Sequence, residues 1–243
     1  MRSIAQKMSQ YLLYKLFPRL HALQRVNSQE LVWIRAVRNI DKIPFNGDIR
    51  RIKIIEELID GSQFDIGIET GTWVGNTTQW LARHLPRVVS IEYDKGVHGI
   101  AMLRMDQLNH VELLHGESEE LFPKQVDRFV GKRIFCYLDA HAKDKKPPLG
   151  KELQAASQHG NALVVIDDFR VPNSEFGYGT YDGIDLDIQY LRNYIGNEIE
   201  VWGPGYPCDE PTGKKRGWAL FAVGPMSDVL RVNAPDLGLI RIN

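Results

Sequence analysis

Hydrophobic residues change their spacing along the chain near residue 61. Before it, apolar residues recur at about every third or fourth position, which predicts amphipathic helices over residues 4–23, 29–39 and 49–59. After it, short apolar runs alternate with helical stretches, which is typical of a parallel sheet covered by helices on both faces. We therefore expect a helical extension over residues 1–62 and an α/β domain over residues 63–243.

Seven apolar runs in the α/β region have the length of strands. They cover residues 64–68, 88–91, 111–114, 134–138, 162–166, 198–202 and 218–223. Helices fit between them at residues 77–84, 96–107, 118–129, 149–159 and 185–195. The last two runs leave no room for a crossover helix, so they should pair antiparallel through residues 203–217. The expected fold is a Rossmann-like sheet of seven mostly parallel strands with an antiparallel last strand.

Charge is unevenly distributed between the extension and the rest of the chain. Residues 1–42 hold eight Lys and Arg against two acidic residues, whereas the whole chain has a formal net charge of −1. The basic first helix is expected to pack on its own domain or on a second subunit, giving a homo-oligomer, and a membrane surface is the alternative. Nucleic acid is not expected as a partner, because the Lys214-Lys215-Arg216 run is short and favours a solvated charge cluster.

Cysteine usage and hydrophobicity indicate the compartment. Cys136 and Cys208 lack the CxxC spacing, and Cys136 lies in an apolar run where a buried thiol is expected. No stretch approaches the roughly 18 unbroken apolar residues of a membrane span, and the first residues lack a signal-peptide core. We expect a cytoplasmic protein without a transmembrane segment.

A glycine-containing turn follows the first predicted strand and opens a helix, which is where open α/β sheets bind ligands. Its sequence is Glu69-Thr-Gly-Thr-Trp-Val-Gly75, so the glycines are spaced G-x-x-x-G rather than the G-x-G-x-x-G that dinucleotides require. Glu69 suits an ammonium or sulfonium ligand and would repel a diphosphate. Glu92 ends the next strand at about the offset where an acidic side chain meets ribose hydroxyls.

These residues resemble the first motif of the class I S-adenosylmethionine-dependent methyltransferases, acidic-x-Gly-x-x-x-Gly. The resemblance covers about residues 64–223 and implies a methyltransferase with S-adenosylmethionine as its cofactor. It implies that Glu69 and the Gly71 region hold the methionine part, that Glu92 binds the ribose, and that the segment from Gly116 to Ser118 lies beside the adenine. Ser118 as the N-cap of the following helix is the alternative. The full set of implied cofactor residues is Glu69, Thr70, Gly71, Thr72, Gly75, Thr77, Thr78, Glu92, Gly116, Glu117, Ser118 and Asp139.

Two further predicted strands end in acid, at Asp139 and at Asp167-Asp168. The carboxyl ends of parallel strands share one edge of a sheet, so these three side chains are expected to converge. Clustered carboxylates repel one another unless a cation lies among them, and hard oxygen ligands suit Mg²⁺ or another divalent cation. The alternative is that Asp168 caps a turn and Asp139 is solvated.

The strings Leu-Asp-Ala-His141 and Ile-Asp-Asp-Phe169 resemble the metal-dependent small-molecule O-methyltransferases of the catechol, macrolide-sugar and aminocoumarin-sugar types. The resemblance implies that Asp139, Asp167 and Asp168 hold magnesium. His141, two residues after Asp139, is the candidate general base, and a supporting or cofactor-packing histidine is the alternative. Lys143 is the second candidate. The catechol type has a lysine three residues after its metal-binding aspartate, but Ala142 occupies that place here.

The acceptor site is expected downstream of the aspartate pair. Residues 170–187 are rich in glycine and aromatic residues and read as a lid, in which Phe176, Tyr178 and Tyr181 either stack on a sugar or aryl ring or pack on the surface. Residues 206–216 are expected to form another wall. The favoured function is metal-assisted O-methylation of a sugar or other small-molecule hydroxyl. The alternatives are a metal-independent methyltransferase, a non-catalytic cofactor-binding scaffold and, last, a nicotinamide oxidoreductase.

Overall fold

The structure, a computed structural model, describes residues 43–141, 146–209 and 213–242. A short 3-10 turn at Phe45–Gly47 precedes seven helices: α1 (Ile49–Asp60), α2 (Asn76–His84), α3 (Lys95–Met105), α4 (Ser118–Arg128), α5 (Leu149–Gln158), α6 (Ile188–Ile195) and α7 (Pro225–Asn233). The ten strands in these ranges are β1 (Ile66–Thr70), β2 (Val88–Glu92), β3 (Val111–His115), β4 (Ile134–Leu138), β5 (Ala162–Ile166), β6 (Thr180–Tyr181), β7 (Ile184–Asp185), β8 (Val201–Pro204), β9 (Ala219–Val223) and β10 (Leu239–Ile242).

Eight of these strands form one sheet in the order β3-β2-β1-β4-β5-β9-β8-β10. Strands β1 to β5 are parallel, whereas β9 runs antiparallel to β5, β8 to β9 and β10 to β8. The expected Rossmann-like, mostly parallel sheet is confirmed, and so is the antiparallel pairing of β8 with β9. The expected number of seven strands was one too few, because β10 is a short edge strand whose middle residues are exposed, a pattern that resembles a loop.

The central strands are buried along their whole length. Every residue of β1, β2, β4, β5 and β9 is buried, which favours apolar side chains on both faces and explains the apolar runs. Acidic residues therefore occur where these strands stop. Because β2, β1, β4 and β5 are neighbours in the sheet, their carboxyl ends form one continuous edge, and the candidate site lies there.

Helix α1 belongs to the same core, although it falls within the predicted extension. Asp48 caps its first turn by accepting a hydrogen bond from the Arg51 backbone N–H at 3.0 Å. Ile55 and Leu58 follow at helical spacing and are buried in the main core. The predicted helices over residues 4–23 and 29–39 lie outside the described residues. In the described ranges, no helix combines the length and the apolar character needed to cross a bilayer.

A buried ion pair ties α1 to the sheet. Arg51 Nη1 lies 2.8 Å from Asp167 Oδ1 just beyond β5, and both side chains are fully buried. Arg51 also donates to the Phe45 carbonyl at 2.9 Å. Burial alone lowers the pKa of Arg51, but Asp167 raises it above its ordinary value, so the arginine stays charged.

Removal of this arginine should destabilise the fold strongly. Arg51→Met leaves the carboxylate of Asp167 buried without its cation, and we expect a loss of about 3–5 kcal/mol in the free energy of unfolding. Urea denaturation measures it. Lys53→Met, on the exposed side of the same helix, is the matched control and should stay near wild type. Adding Asp167→Asn to Arg51→Met should recover part of the loss. Equal stability of the two single variants would contradict this account.

Candidate functional site

The turn between β1 and α2 is built on two glycines with positive φ, at Gly71 and Gly75, both at 81°. At Gly71 a Cβ atom would lie only 2.5 Å from the carbonyl oxygen of Asp139, so no larger residue fits. The backbone N–H of Gly71 donates to the Ile91 carbonyl at 2.9 Å, and that of Asp139 donates to the Thr70 carbonyl at 3.1 Å. The turn is therefore wedged between the ends of β2 and β4.

Glu69 is fully buried beneath this turn. Its Oε2 accepts from the hydroxyls of Thr78 and Ser90, each at 2.5 Å. Its Oε1 is buried and has no hydrogen-bond partner within the described ranges. Burial raises the pKa of Glu69 to about 7, although the two hydroxyls lower it. A buried acceptor without a partner is costly, so a cationic group beside Oε1 would be stabilised.

Glu92 holds the turn from the other side. Its Oε2 accepts from the Trp73 backbone N–H at 2.8 Å, and its Oε1 accepts from the Asp94 backbone N–H at 2.7 Å. Burial raises the pKa of Glu92 to about 7 as well, against the lowering effect of these hydrogen bonds. Each carboxylate oxygen has two lone pairs, so contacts to ribose hydroxyls remain compatible with this arrangement.

The remaining predicted cofactor residues surround the same edge. The Gly116 backbone N–H donates to the Glu92 carbonyl at 3.0 Å, which brings the loop before α4 beside β2. The Thr72 hydroxyl lies 2.6 Å from Ser90 Oγ, and Thr77 Oγ1 accepts from the Phe45 N–H at 3.4 Å. The alternative role of Ser118 was wrong, because the N-cap of α4 is Glu117, whose side chain makes no capping bond.

Glu152 on α5 was missed by the sequence analysis. It is fully buried, its Oε2 lies 3.4 Å from the Thr70 hydroxyl, and Ser118 hydrogen-bonds to it. Its Oε1 has no partner in the part of the chain that the structure describes. Burial raises the pKa of Glu152 to about 7. A sequence signal existed, because Glu152 shares the apolar stripe of α5 with Leu149 and Ala156.

The three predicted aspartates lie close together, and the carboxylate of Asp167 accepts as many hydrogen bonds as it can. Asp167 Oδ1 accepts from Arg51 and from the backbone N–H of Asp168 at 2.7 Å. Its Oδ2 accepts from the Tyr137 hydroxyl at 2.6 Å and from Asn46 Nδ2 at 2.8 Å. Four donors occupy the four lone-pair positions of this carboxylate, so Asp167 is a structural anchor.

Asp168 lies in left-handed backbone, at φ 54°, and its side chain is almost completely buried. Its Oδ1 is 2.5 Å from Arg216 Nε, and its Oδ2 accepts from the Tyr181 hydroxyl at 2.5 Å. Burial raises the pKa of Asp168, but Arg216, His141 and Tyr181 outweigh it and hold that pKa below its ordinary value. Asp168 is therefore ionised at neutral pH.

His141 lies between two carboxylates. Its Nδ1 is 3.5 Å from Asp139 Oδ1 and its Nε2 is 3.4 Å from Asp168 Oδ2, longer than ordinary hydrogen bonds. The ring also packs on Tyr181, with centroids 4.6 Å apart. Burial lowers the pKa of His141, although Asp168 and Asp167 raise it, so the imidazole is neutral near pH 7 and can accept a proton. Lys143, the second candidate base, lies outside the described residues.

Asp139 is the most exposed of the three acids. Its side chain keeps 27% of its exposure, unlike Asp167. Burial, followed by repulsion from Asp167 and Asp168, raises the pKa of Asp139 well above its ordinary value. In residues 43–141, 146–209 and 213–242, no group of three His, Cys, Asp or Glu side chains has an arrangement that could hold a metal ion. The predicted magnesium set does not fit these contacts, because two of its carboxylates already bind arginines.

Both of these arginines were missed as site residues. Arg51 shares the apolar face of α1 with Ile55 and Leu58, and a charged residue in an apolar stripe signals a buried pair. Arg216 was predicted to belong to a solvated cluster; this was wrong for Arg216, whose side chain is only 31% exposed, and right for Lys214 and Lys215. Only the tertiary contact of Arg216 with Asp168 distinguishes it from its neighbours.

The predicted lid contains the short ribbon formed by β6 and β7. Of its three aromatic residues, Phe176 and Tyr181 are buried and only Tyr178 is exposed. The Gly179 N–H donates to the Asp168 carbonyl at 2.7 Å, and Arg216 Nη1 donates to the Tyr178 carbonyl at 3.0 Å. The ribbon is thus docked on the aspartate edge, and Tyr181 contacts Asp168 rather than presenting its ring to solvent.

The chain is similar to methyltransferases that are named for different substrates. No protein-family model matches the chain. It is 24% identical to ribosomal RNA small subunit methyltransferase A of Alkaliphilus metalliredigens over 58% of this chain, and 28% identical to catechol O-methyltransferase of Niastella koreensis over 42% of it. The matched regions span 51% and 48% of those two proteins, about half of each.

A solved structure shares the fold over most of its length. The O-methyltransferase from Bacillus cereus in complex with SAH superposes with a TM-score of 0.50 at 15% identity, covering 84% of this chain and 96% of that one. The Rossmann-like sheet described above is the fold of the class I methyltransferases.

Stability should depend on pH through Glu152. Its pKa is raised from 4.5 to about 7 in the folded chain, so its contribution to stability is complete below pH 4.5 and is lost as pH rises to about 7. Glu152→Gln stays neutral, and we expect it to be more stable than wild type by up to about 3 kcal/mol at pH 8 and equal at pH 4.5. Urea denaturation from pH 4.5 to 8 measures this difference. Glu120→Gln, at an exposed position of α4, is the control, and a pH-independent difference for Glu152→Gln would contradict the prediction.

Proposed function

We propose that this chain is an S-adenosylmethionine-dependent O-methyltransferase that acts on a hydroxyl of a small molecule. The observation that carries the proposal is the buried Oε1 of Glu69, which has no hydrogen-bond partner in the part of the chain that the structure describes and lies beneath the turn at Gly71. An anionic cofactor would be repelled there, because Glu69 and Glu92 face the turn from two strands. The methyltransferase fold and the two methyltransferase relatives support the same cofactor class.

The residues of the turn suit the cofactor chemically. Glu69 would accept from the ammonium of the methionine part, and Glu92 would accept from the ribose hydroxyls. The absence of a side chain at Gly71 lets the turn lie directly against the backbone at the end of β4, which brings Glu69 and Asp139 to the same edge. The segment from Gly116 to Ser118 would border the adenine, with Glu152 fixing Ser118 from below.

When bound, S-adenosylmethionine supplies a methyl group activated by its positively charged sulfur. His141 would take the proton of the acceptor hydroxyl while the acceptor oxygen forms its bond to the methyl carbon and the carbon–sulfur bond breaks. Asp139, 3.5 Å from Nδ1, would orient the ring and stabilise the imidazolium that results. The second nitrogen lies 3.4 Å from Asp168, whose ionised carboxylate would also stabilise the imidazolium.

Polar groups at the aspartate edge support a hydroxylated acceptor, such as a sugar or other polyol. Asp168, Tyr181 and Arg216 place an acceptor and several donors within a few ångströms of His141. Exposed Tyr178 offers an aromatic surface at the rim. Magnesium assistance was expected from the sequence, but the arginine contacts of Asp167 and Asp168 favour the metal-independent form.

Cofactor binding should strengthen as pH rises. The pKa of Glu69 is about 7 in the free protein, and a bound cation lowers it, so affinity grows as Glu69 ionises. We expect S-adenosylmethionine to bind about tenfold more tightly at pH 7.5 than at pH 6. Glu69→Gln should bind more weakly and lose most of this pH dependence. Isothermal titration calorimetry measures both, with Glu57→Gln, at an exposed position of α1, as the control. No binding by wild type at either pH would refute the proposed cofactor.

His141→Ala should separate binding from chemistry. We expect its kcat to fall by about 10²–10⁴-fold with unchanged cofactor affinity, because only the proton acceptor is lost. The assay follows labelled methyl transfer from S-adenosylmethionine to a panel of sugars, polyols and catechols, with ribosomal RNA as a separate arm. His110→Ala, before β3 and away from this edge, is the control. Unchanged kcat and pH profile in His141→Ala would remove it as the base, and transfer to RNA alone would overturn the proposed acceptor.

A further inference from the structure

Two arginines from distant parts of the chain meet two adjacent aspartates at the sheet edge. Arg51 comes from α1 and binds Asp167 at 2.8 Å, whereas Arg216 comes from the segment before β9 and binds Asp168 at 2.5 Å. The two pairs differ in access. Arg51 is fully buried, but the Arg216 side chain is 31% exposed and lies beside the candidate base.

A divalent cation requires carboxylate oxygens that can turn their lone pairs toward it. Asp167 has none to offer, because Arg51, Asn46, Tyr137 and the Asp168 N–H use both of its oxygens. Asp168 binds Arg216 through one oxygen and Tyr181 through the other. A metal ion at Asp168 would share that carboxylate with the Arg216 guanidinium, which lies 2.5 Å away and repels a second cation.

Charge gives the same answer. Three carboxylates at one edge repel one another, and a cation must be present to hold them together. Here two guanidinium groups neutralise two of the three, because Arg51 lies 2.8 Å from Asp167 and Arg216 lies 2.5 Å from Asp168. Most of the negative charge that would attract a metal is therefore already compensated within the chain.

We infer that Arg216 takes the place of a divalent cation at this site, so that the chain binds no metal there and Arg216 contacts the acceptor oxygen directly. Within the described contacts, Asp168 and the Tyr178 carbonyl use two of the five donors of its guanidinium. Arg216 would orient the acceptor hydroxyl next to His141 and stabilise the negative charge that develops on its oxygen. The acceptor role rests on the proposed function, whereas the absence of metal binding does not.

Metal binding itself provides the test, without cofactor or acceptor present. Mn²⁺ is titrated into the full chain and free ion is followed by electron paramagnetic resonance. Wild type should show only weak, non-specific Mn²⁺ binding. Arg216→Gln should gain a specific site that binds Mn²⁺ at least about tenfold more tightly than wild type does, because Asp168 joins Asp139 and His141 as ligands. Arg170→Gln removes an exposed arginine that pairs with Asp185 at 3.1 Å and should gain nothing.

The outcomes separate clearly. A one-to-one Mn²⁺ site in wild type that Asp168→Asn abolishes would overturn the inference, and so would the same Mn²⁺ affinity in wild type and Arg216→Gln. The wild-type titration needs no variant, so it decides the main point even if Arg216→Gln folds poorly. In the transfer assay, Arg216→Lys should retain more activity than Arg216→Gln and wild type should be unaffected by chelator. Loss of wild-type transfer on chelation would also contradict the inference.

Discussion

The fully buried contact between Arg51 and Asp167 is the constraint on which the site depends. It joins helix α1, which precedes the sheet in the chain, to the end of β5 in the middle of the sheet. A lone carboxylate at that depth would be expensive, and the arginine makes it tolerable. With Asp167 fixed by four donors, its neighbour Asp168 is held in left-handed backbone, where Arg216 and Tyr181 reach it. The docked ribbon therefore contacts the residue that directly follows this buried pair in the chain.

The acids along this edge fall into two kinds that predict different chemistry. Glu69 is buried, and within the described residues its Oε1 has no hydrogen-bond partner, so a cationic ligand from outside the chain would be stabilised there. Asp167 and Asp168 are buried with their charges compensated by the chain's own arginines. A bound sulfonium cofactor would place one positive charge beside Glu69, and the Arg216 guanidinium places another beside Asp168. His141 lies near the second of these charges, between Asp139 and Asp168.

Much of this arrangement followed from local sequence. The parallel strands were predicted within a residue or two because burial on both faces demands unbroken apolar runs, and the acids that end β1, β2, β4 and β5 could be assigned to one edge from the rules of parallel sheets. Strand β10 was missed, since an edge strand with exposed middle residues carries little periodic signal. Helix α7, which follows β9, was missed as well. Glu152 and Arg51 stood in apolar helical stripes and were predictable in principle, but the stripe does not say which partner they meet.

The sequence by itself determined the order of elements, the turn from Glu69 to Gly75 and the edge to which the candidate residues belong, because each depends on spacing between near neighbours. Only the tertiary structure decided which charges compensate one another. Arg51 is 116 positions from Asp167, and Arg216 is 48 positions from Asp168. No local pattern encodes such pairs, since they depend on how helix α1 and the segment before β9 pack against the finished sheet. The same three aspartates that resemble a metal site along the chain thus become, in the fold, two arginine pairs and one acid beside a histidine.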